Sequence, residues 1–262
     1  MRPSGLMIDL DGTVYKGGNV IPGAQDLIKF LKKEKIPFVF LTNNSSDTRD
    51  YYFKKLTSMG FPIARENILT STTAAVRFLK ERRAGKNVYV IATPDVADEI
   101  ADMGVPNCGE NPDIVLLTFD RTITFDKINK AYRHIMDGSE LIATHPDDLC
   151  PTEDGYDVDI GQFIKMLSHL TGAVPTVIGK PNSLMLEMAA EEMGADKSRT
   201  LMVGDRLYTD IAMAAYAGTD SVLVLTGETQ MSDLDKSEVK PTYVVGSVVE
   251  IPDLITKLCR DR

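Results

Sequence analysis

Short, mainly apolar runs alternate along this chain with longer stretches in which apolar residues return every three or four positions. The runs Leu6–Leu10, Pro37–Leu41, Asn87–Ile91, Asp113–Leu117, Glu140–Ala143, Thr200–Val203 and Ser221–Leu225 are too short for helices and read as buried strands. Between them, "GAQDLIKFLKKEK" puts Leu27, Phe30 and Leu31 on one helical face. "NSLMLEMAAEEMG" opens on Asn182, a good N-cap, and closes on Gly194, and "DRLYTDIAMAAYAG" has the same shape, closing at Gly218. Strands alternating with amphipathic helices predict an α/β fold with a mainly parallel sheet.

The punctuation divides that series. Polar junctions at Arg82-Arg83-Ala84-Gly85-Lys86 and at Thr171–Pro175 bracket a second set of strands and helices large enough to pack a core of its own. The expected organisation is a core built from residues 1–83 and 176–262, with residues 84–175 inserted into one of its loops. No internal repeat or low-complexity segment interrupts it.

Composition narrows the function classes. With 262 residues and 43% hydrophobic content there is ample material for packed cores, and the formal net charge of −9 disfavours a basic groove for a nucleic-acid polymer. A local positive pocket for a small phosphate remains compatible with that balance. Cys108, Cys150 and Cys259 lie far apart without CxxC spacing, so free thiols are expected rather than disulfides or a zinc site. The first fifteen residues, broken by Asp9 and Asp11, do not resemble a secretory signal, and no apolar segment approaches the roughly 18 residues that span a bilayer. The expectation is a soluble cytoplasmic protein with no membrane partner.

Four polar segments fall at predicted strand ends: Asp9-Leu10-Asp11-Gly12-Thr13, Leu41-Thr42-Asn43-Asn44, Gly179-Lys180-Pro181 and Gly204-Asp205-Arg206-Leu207-Tyr208-Thr209-Asp210. In an open parallel sheet the ligand crevice lies beyond the carboxyl ends of the strands, so the four can meet in one cavity. In a regular strand residues i and i+2 face the same way, which would aim Asp9 and Asp11 together and call for a cation, a shared proton or both. Several acids, one hydroxyl and one lysine suit a phosphate ester bound with Mg2+, which takes hard oxygen ligands. Asp9 and Asp205 are the candidate metal carboxylates. Thr42 can donate to a phosphoryl oxygen, backbone N–H groups at a helix start near Asn43 can add to the grip, and Lys180 can neutralise the same anion.

Taken together, DLDGT, TNN, GKP and GDRLYTD resemble the motifs of the haloacid dehalogenase superfamily. The whole chain, with its opening "GTVYKGGNVIPGA", the segment "NPDIVLLTFDRTITFDKINKA" and "VLTGET", is similar to the NagD-like phosphatase branch, subclass IIA. The resemblance implies a Rossmann-like core with helices flanking a parallel sheet, and an inserted α/β cap of the C2 type. It implies that Asp9 is the nucleophile that takes up the phosphoryl group and Asp11 the general acid and base. Thr42, Asn43 and Lys180 would hold the phosphoryl oxygens, and Asp9, Asp11 (through its backbone carbonyl) and Asp205 would hold Mg2+. Asp210 would stand behind them, anchoring metal-bound water or Lys180.

The activity so implied is Mg2+-dependent hydrolysis of small phosphomonoesters such as sugar phosphates, nucleoside monophosphates, phosphoglycolate or 4-nitrophenyl phosphate. A phosphotransferase or mutase using the same aspartyl phosphate, and a receiver-like signalling domain, are the alternatives. His145 and Asp147, in "LIATHPDDLC", are expected where the cap would face the leaving group, and His145 departs from the Asn common in the family at this place. "DGYDVDIGQF" departs from a small glycine-rich turn, through Tyr156, Asp157 and Asp159. His134 and His169 read as surface or half-buried residues of helices. A homodimer through the apolar insert stays open.

Overall fold

In a computed structural model describing residues 2–152 and 155–260, the alternation read from the sequence becomes two sets of strands. In chain order the strands are β1 (Gly5–Asp9), β2 (Tyr15–Lys16), β3 (Asn19–Val20), β4 (Phe38–Thr42), β5 (Ile68–Thr70), β6 (Val88–Ile91) and β7 (Ile114–Leu117). They continue as β8 (Glu140–Ala143), β9 (Leu149–Thr152), β10 (Gly155–Val158), β11 (Thr176–Val177), β12 (Thr200–Gly204), β13 (Asp220–Val224) and β14 (Tyr243–Val245). The larger sheet is parallel, in the order β14-β13-β12-β1-β4-β5. The order reverses at β1, which pairs with β4 on one side and β12 on the other, Ile8 lying beside both Phe40 and Val203. A second, four-stranded sheet runs β11-β8-β7-β6 with every pairing parallel.

By compactness the chain forms two units. One comprises Met1–Thr42, Tyr52–Leu69 and Lys180–Arg262; the other comprises Asn43–Tyr51 and Thr70–Gly179. In the first, β1 and β4 are buried along their whole lengths, which is why they read as unbroken apolar runs. Helix Ala24–Lys33 buries Leu27, Ile28 and Leu31, and keeps Lys32 and Lys33 in its last turn where they complement the helix dipole. Phe40 anchors this core, its ring edge-on to both Phe38 and Phe61 at centroid distances of 5.8 and 6.0 Å. In the second unit Ile91, Val115, Leu117, Leu141 and Ala143 meet Ile160, Ile164 and Leu167 of helix Ile160–Thr171 in a separate core.

Sequence cues at element ends map onto observed caps. The Asn182 side chain accepts from the Leu184 N–H at 3.0 Å to start helix Ser183–Glu192, and Gly194 follows its end in the left-handed conformation. One expectation needs correction. No helix starts near Asn43: the chain after β4 makes a polar turn in which Asn44 Oδ1 accepts from both the N–H and hydroxyl of Ser46, and the helix starts at Arg49. Tyr156 and Asp157, where a small glycine-rich turn would be expected, lie in strand β10, paired antiparallel with β9. His134 is half-buried against Tyr89, and His169 is exposed. The three cysteines are free thiols. Among the described residues, no helix is long and apolar enough to cross a membrane.

Candidate active site

The carboxyl ends of β1, β4 and β12, the three central strands, carry the polar groups of the first unit. Asp9 is the last residue of β1 and is buried. The chain then turns back at once, the Leu10 carbonyl accepting from the N–H groups of Thr13 and Val14 at 3.2 and 2.9 Å. Asp11 is therefore in the turn and not in the strand. The same-face alternation expected of the pair stops at Asp9, and the two carboxyls occupy different surroundings, Asp9 inside and Asp11 open to solvent.

Lys180 reaches this strand end from the far side of the sequence. Its ammonium, 3% exposed with the rest of the residue, donates to Asp9 Oδ1 in a short contact and to Asp210 Oδ1 at 2.7 Å. The peptide joining Lys180 to Pro181 is cis. Asp210 is wholly buried on a single π turn, Leu207–Ile211, inserted before helix Ala212–Ala217. Its second oxygen accepts from the Arg206 N–H at 3.2 Å. Of the two placements considered for Asp210, the structure shows it against Lys180.

Asp205 follows β12. Its Oδ2 accepts from the Glu228 N–H at 2.7 Å, while its Oδ1 is buried without a hydrogen-bond partner. Carboxylate oxygens of Asp9, Asp205 and Asp210 lie within 4.8 Å of one another. An orphaned buried oxygen amid three acids is expensive unless a cation completes it. Hard oxygen donors of this kind fit a divalent metal ion.

The electrostatics carry the same message. Burial pushes the Asp9 carboxyl up to about 8 against the pull of Lys180, with Asp210 and Asp205 adding to the rise. Burial likewise pushes Asp205 up to about 6, reinforced by Asp210 and opposed by the Glu228 N–H, Arg206 and Lys180. Burial works against the charge on Lys180, but Asp210 and Asp9 outweigh it and hold the ammonium firmly protonated. Burial raises the Asp11 carboxyl, against the pull of Lys55, Arg206 and Lys16.

The sequence reading missed the groups that hold Asp205 in place. Gly12 has φ +82°, and a Cβ there would meet Asp205 Oδ2 at 2.6 Å; a Cβ on Gly227 would meet the same oxygen at 1.9 Å. Glu228 supplies the N–H just described and is itself fixed, its carboxylate accepting from Tyr208 Oη at 2.9 and 3.1 Å and pairing with Arg206 Nε at 3.0 Å. Thr226 Oγ1 donates to the Gly12 carbonyl at 2.6 Å. Thr13 Oγ1 donates to Asp9 Oδ2 at 3.4 Å. "VLTGET" was visible as a pattern, but only the fold reveals that its glycine and glutamate face Asp205.

Thr42, the last residue of β4, is buried one register step beyond the pairing of Leu41 with Asp9. Asn43 turns its side chain to Asp147, donating from Nδ2 to the two carboxylate oxygens at 3.2 and 3.1 Å. His145 is wholly buried, with Nδ1 3.5 Å from Asp147 and Nε2 3.8 Å from Asp159. Asn43, His145, Asp147 and Asp159 thus form a cluster within the second unit, with the His145 ring wholly buried.

Comparison with known proteins adds two family matches: residues 6–106 match a model described as haloacid dehalogenase-like hydrolase, and residues 177–251 one described as "HAD-hyrolase-like". The chain is 37% identical to "5'-nucleotidase YutF" of Bacillus subtilis (strain 168), over 94% of this chain and 96% of that protein. It is 33% identical to "Sugar-phosphatase AraL" of the same organism, over 97% and 94%. The crystal structure of a 4-nitrophenylphosphatase from Thermotoga maritima superposes with a TM-score of 0.93 at 35% identity, covering 97% of each chain.

Proposed function

Since the chain belongs to the haloacid dehalogenase-like hydrolases, in their NagD-like branch, we propose that it hydrolyses small phosphomonoesters through an aspartyl phosphate formed on Asp9. The protein is a phosphatase of small phosphorylated metabolites. The observation that carries the residue assignment is the buried meeting of Asp9, Lys180 and Asp205, with the unsatisfied Asp205 oxygen among them and Asp11 open beside them.

In this reading the Asp9 carboxylate attacks phosphorus, and the bond from phosphorus to the leaving oxygen breaks as the Asp11 carboxyl gives that oxygen its proton. Asp11, now charged, takes a proton from water; the water oxygen bonds to phosphorus, the bond to Asp9 breaks, and inorganic phosphate leaves. The upward shift of the Asp11 carboxyl, caused by the surrounding protein, favours the protonated form that the first step needs. Thr42, with a backbone N–H at Asn43, and Lys180 hold the phosphoryl oxygens, and Asp210 fixes the ammonium of Lys180. Asp9, Asp205 and the Asp11 carbonyl would hold Mg2+, which when bound neutralises phosphoryl charge and keeps Asp9 ionised. Residues 84–175 serve as the cap that selects the alcohol.

The substrate class spans sugar phosphates, nucleoside monophosphates, phosphoglycolate and 4-nitrophenyl phosphate. The test is phosphate release from such a panel, with and without Mg2+, by the parent and by Asp9→Asn. Metal-dependent turnover in the parent, lost at least a thousandfold in Asp9→Asn, is the expected result, since that change removes the nucleophile from a covalent route (losses on the order of 10⁴–10⁶ are typical). Equal turnover by the two proteins would remove the aspartyl-phosphate reading.

A further inference from the structure

Thr42 and Lys180 share an unusual relationship to the second unit: each is bonded to one of its residues, Asn43 and Gly179 respectively. Those two neighbours touch. A Cβ on Gly179 would lie 2.6 Å from Asn43 Oδ1 and 2.6 Å from the Thr144 carbonyl, so the absence of a side chain at Gly179 is what lets the Asn43 amide sit against it. The segment before Lys180 is laced to the end of β8, Ile178 N–H donating to the Ala143 carbonyl at 3.1 Å and Gly179 N–H to the Thr144 carbonyl at 2.7 Å.

Asn43 is tied from its other side to the same loop. Its Nδ2 donates to both oxygens of Asp147, and its carbonyl accepts from the Ser71 hydroxyl. Asp147 is steadied in turn: its carbonyl accepts from the Gly161 N–H at 2.8 Å, and its Oδ2 faces His145 Nδ1. On the opposite edge of that buried imidazole stands Asp159, whose carboxylate accepts from the Ile160 N–H at 2.6 Å at the start of its helix. A charged acceptor meeting an amide at two points fixes the direction of that amide, and partial burial limits its replacement by water.

We propose that Asp147 is a positioning residue for the phosphatase reaction: through the Asn43 side chain it locks the Thr42–Asn43 turn onto Gly179, and so sets the spacing of Thr42 and Lys180. The inference rests on the assignment of those two residues to the phosphoryl oxygens. Asp147 touches no reacting atom in this scheme. Its effect is geometric, because a displacement of about 1 Å in a phosphate grip can reduce rates by about a hundredfold.

The test measures inorganic phosphate binding by calorimetry in Mg2+, beside kcat and KM on 4-nitrophenyl phosphate and the melting temperature. Asp147→Ala is expected to weaken phosphate about tenfold and to raise KM in parallel, a loosening smaller than a full 1 Å misplacement. Asp147→Asn keeps an oxygen that can accept from Asn43 and is expected to recover phosphate affinity to within about threefold of the parent. Asn43→Ala should match Asp147→Ala, and the double variant should be no worse than either, as two members of one contact behave.

A lowered melting temperature with phosphate affinity within twofold of the parent, or a double variant equal to the product of the singles, would overturn the proposal. If Asp147→Ala does not fold, Asn43→Ala and Asp147→Asn decide the matter by the same criteria. Thr42→Ala separates this from the underlying assignment. Parent-like phosphate binding by Thr42→Ala removes that assignment and the inference with it, whereas loss in Thr42→Ala with none in Asp147→Ala removes the inference alone.

Discussion

Gly227→Ala places a single methyl group at the most constrained point near Asp205. The new carbon would stand 1.9 Å from Asp205 Oδ2 and 2.4 Å from its Cγ, where an ordinary contact is about 3.5 Å, so the carboxylate or the loop must move by about 1.5 Å. The oxygen that must leave is the one receiving the Glu228 N–H at 2.7 Å. Hydrogen bonds to charged groups contribute about 1.5–3 kcal/mol. If that much is lost from the state that binds metal, half-saturation by Mg2+ should rise by about 10- to 150-fold. The assay is phosphate release across a Mg2+ titration, with circular dichroism as the control for folding. Gly18→Ala, where the added carbon meets nothing within 4 Å, supplies the neutral comparison. Half-saturation of the folded Gly227→Ala protein within twofold of the parent would refute the claim that this glycine exists to seat Asp205.

Two further outcomes follow from the buried charges. Lys180→Met strands Asp9 and Asp210 without their cation, and breaking a buried pair typically destabilises by about 3–5 kcal/mol. The melting temperature without metal should therefore fall by roughly 6–20 °C; a melting temperature within about 2 °C of the parent would contradict the argument. Asp9 titrates near 8 in the folded chain against 3.8 for the unfolded group, so between these values the folded state keeps a proton that the unfolded state has lost. Its contribution to stability then declines as pH rises from about 4 to about 8, and the increase in melting temperature given by Mg2+ over a chelator should be larger at pH 8 than at pH 5. A larger increase at pH 5 would reverse the sign and refute it.

The parts of this molecule that were legible in advance are those governed by local chemistry. The mainly apolar runs at β1, β4, β6, β7, β8, β12 and β13 were readable because these strands are buried along most or all of their length, leaving no polar alternation to confuse them. Strands β5 and β14 escaped because they are three residues long, and β14 is only partly buried. The convergence of Asp9 and Asp205 could be anticipated from their places at the ends of paired strands β1 and β12, whereas Lys180 follows β11 of the other sheet and its arrival beside Asp9 is not given by that topology. The separation of Asp9 from Asp11 could not, because it depends on the chain leaving the sheet one residue after Asp9. Gly12, Gly227 and Glu228 were hidden for a similar reason: their importance lies in how near Asp205 stands, a distance that no motif contains. His145 illustrates the converse. A histidine at a strand-to-loop junction says nothing of its surroundings, and packing encloses it between two carboxylates.

The position of β1 has a consequence during synthesis. Its partner β4 emerges from the ribosome some thirty residues later, but β12, paired with it through Gly5↔Thr200, follows only after another 160 or so. At about 5–20 residues per second, one edge of the central strand waits roughly 10–40 seconds for its neighbour. Throughout that interval Leu6, Met7 and Ile8 present an apolar, half-paired ribbon, while the Thr70–Gly179 segment emerges before β12 and gathers its own core. The nascent chain therefore carries its greatest hazard of self-association at its very first strand, and a molecular chaperone that shields that ribbon would matter more to the yield of this protein than to its final stability.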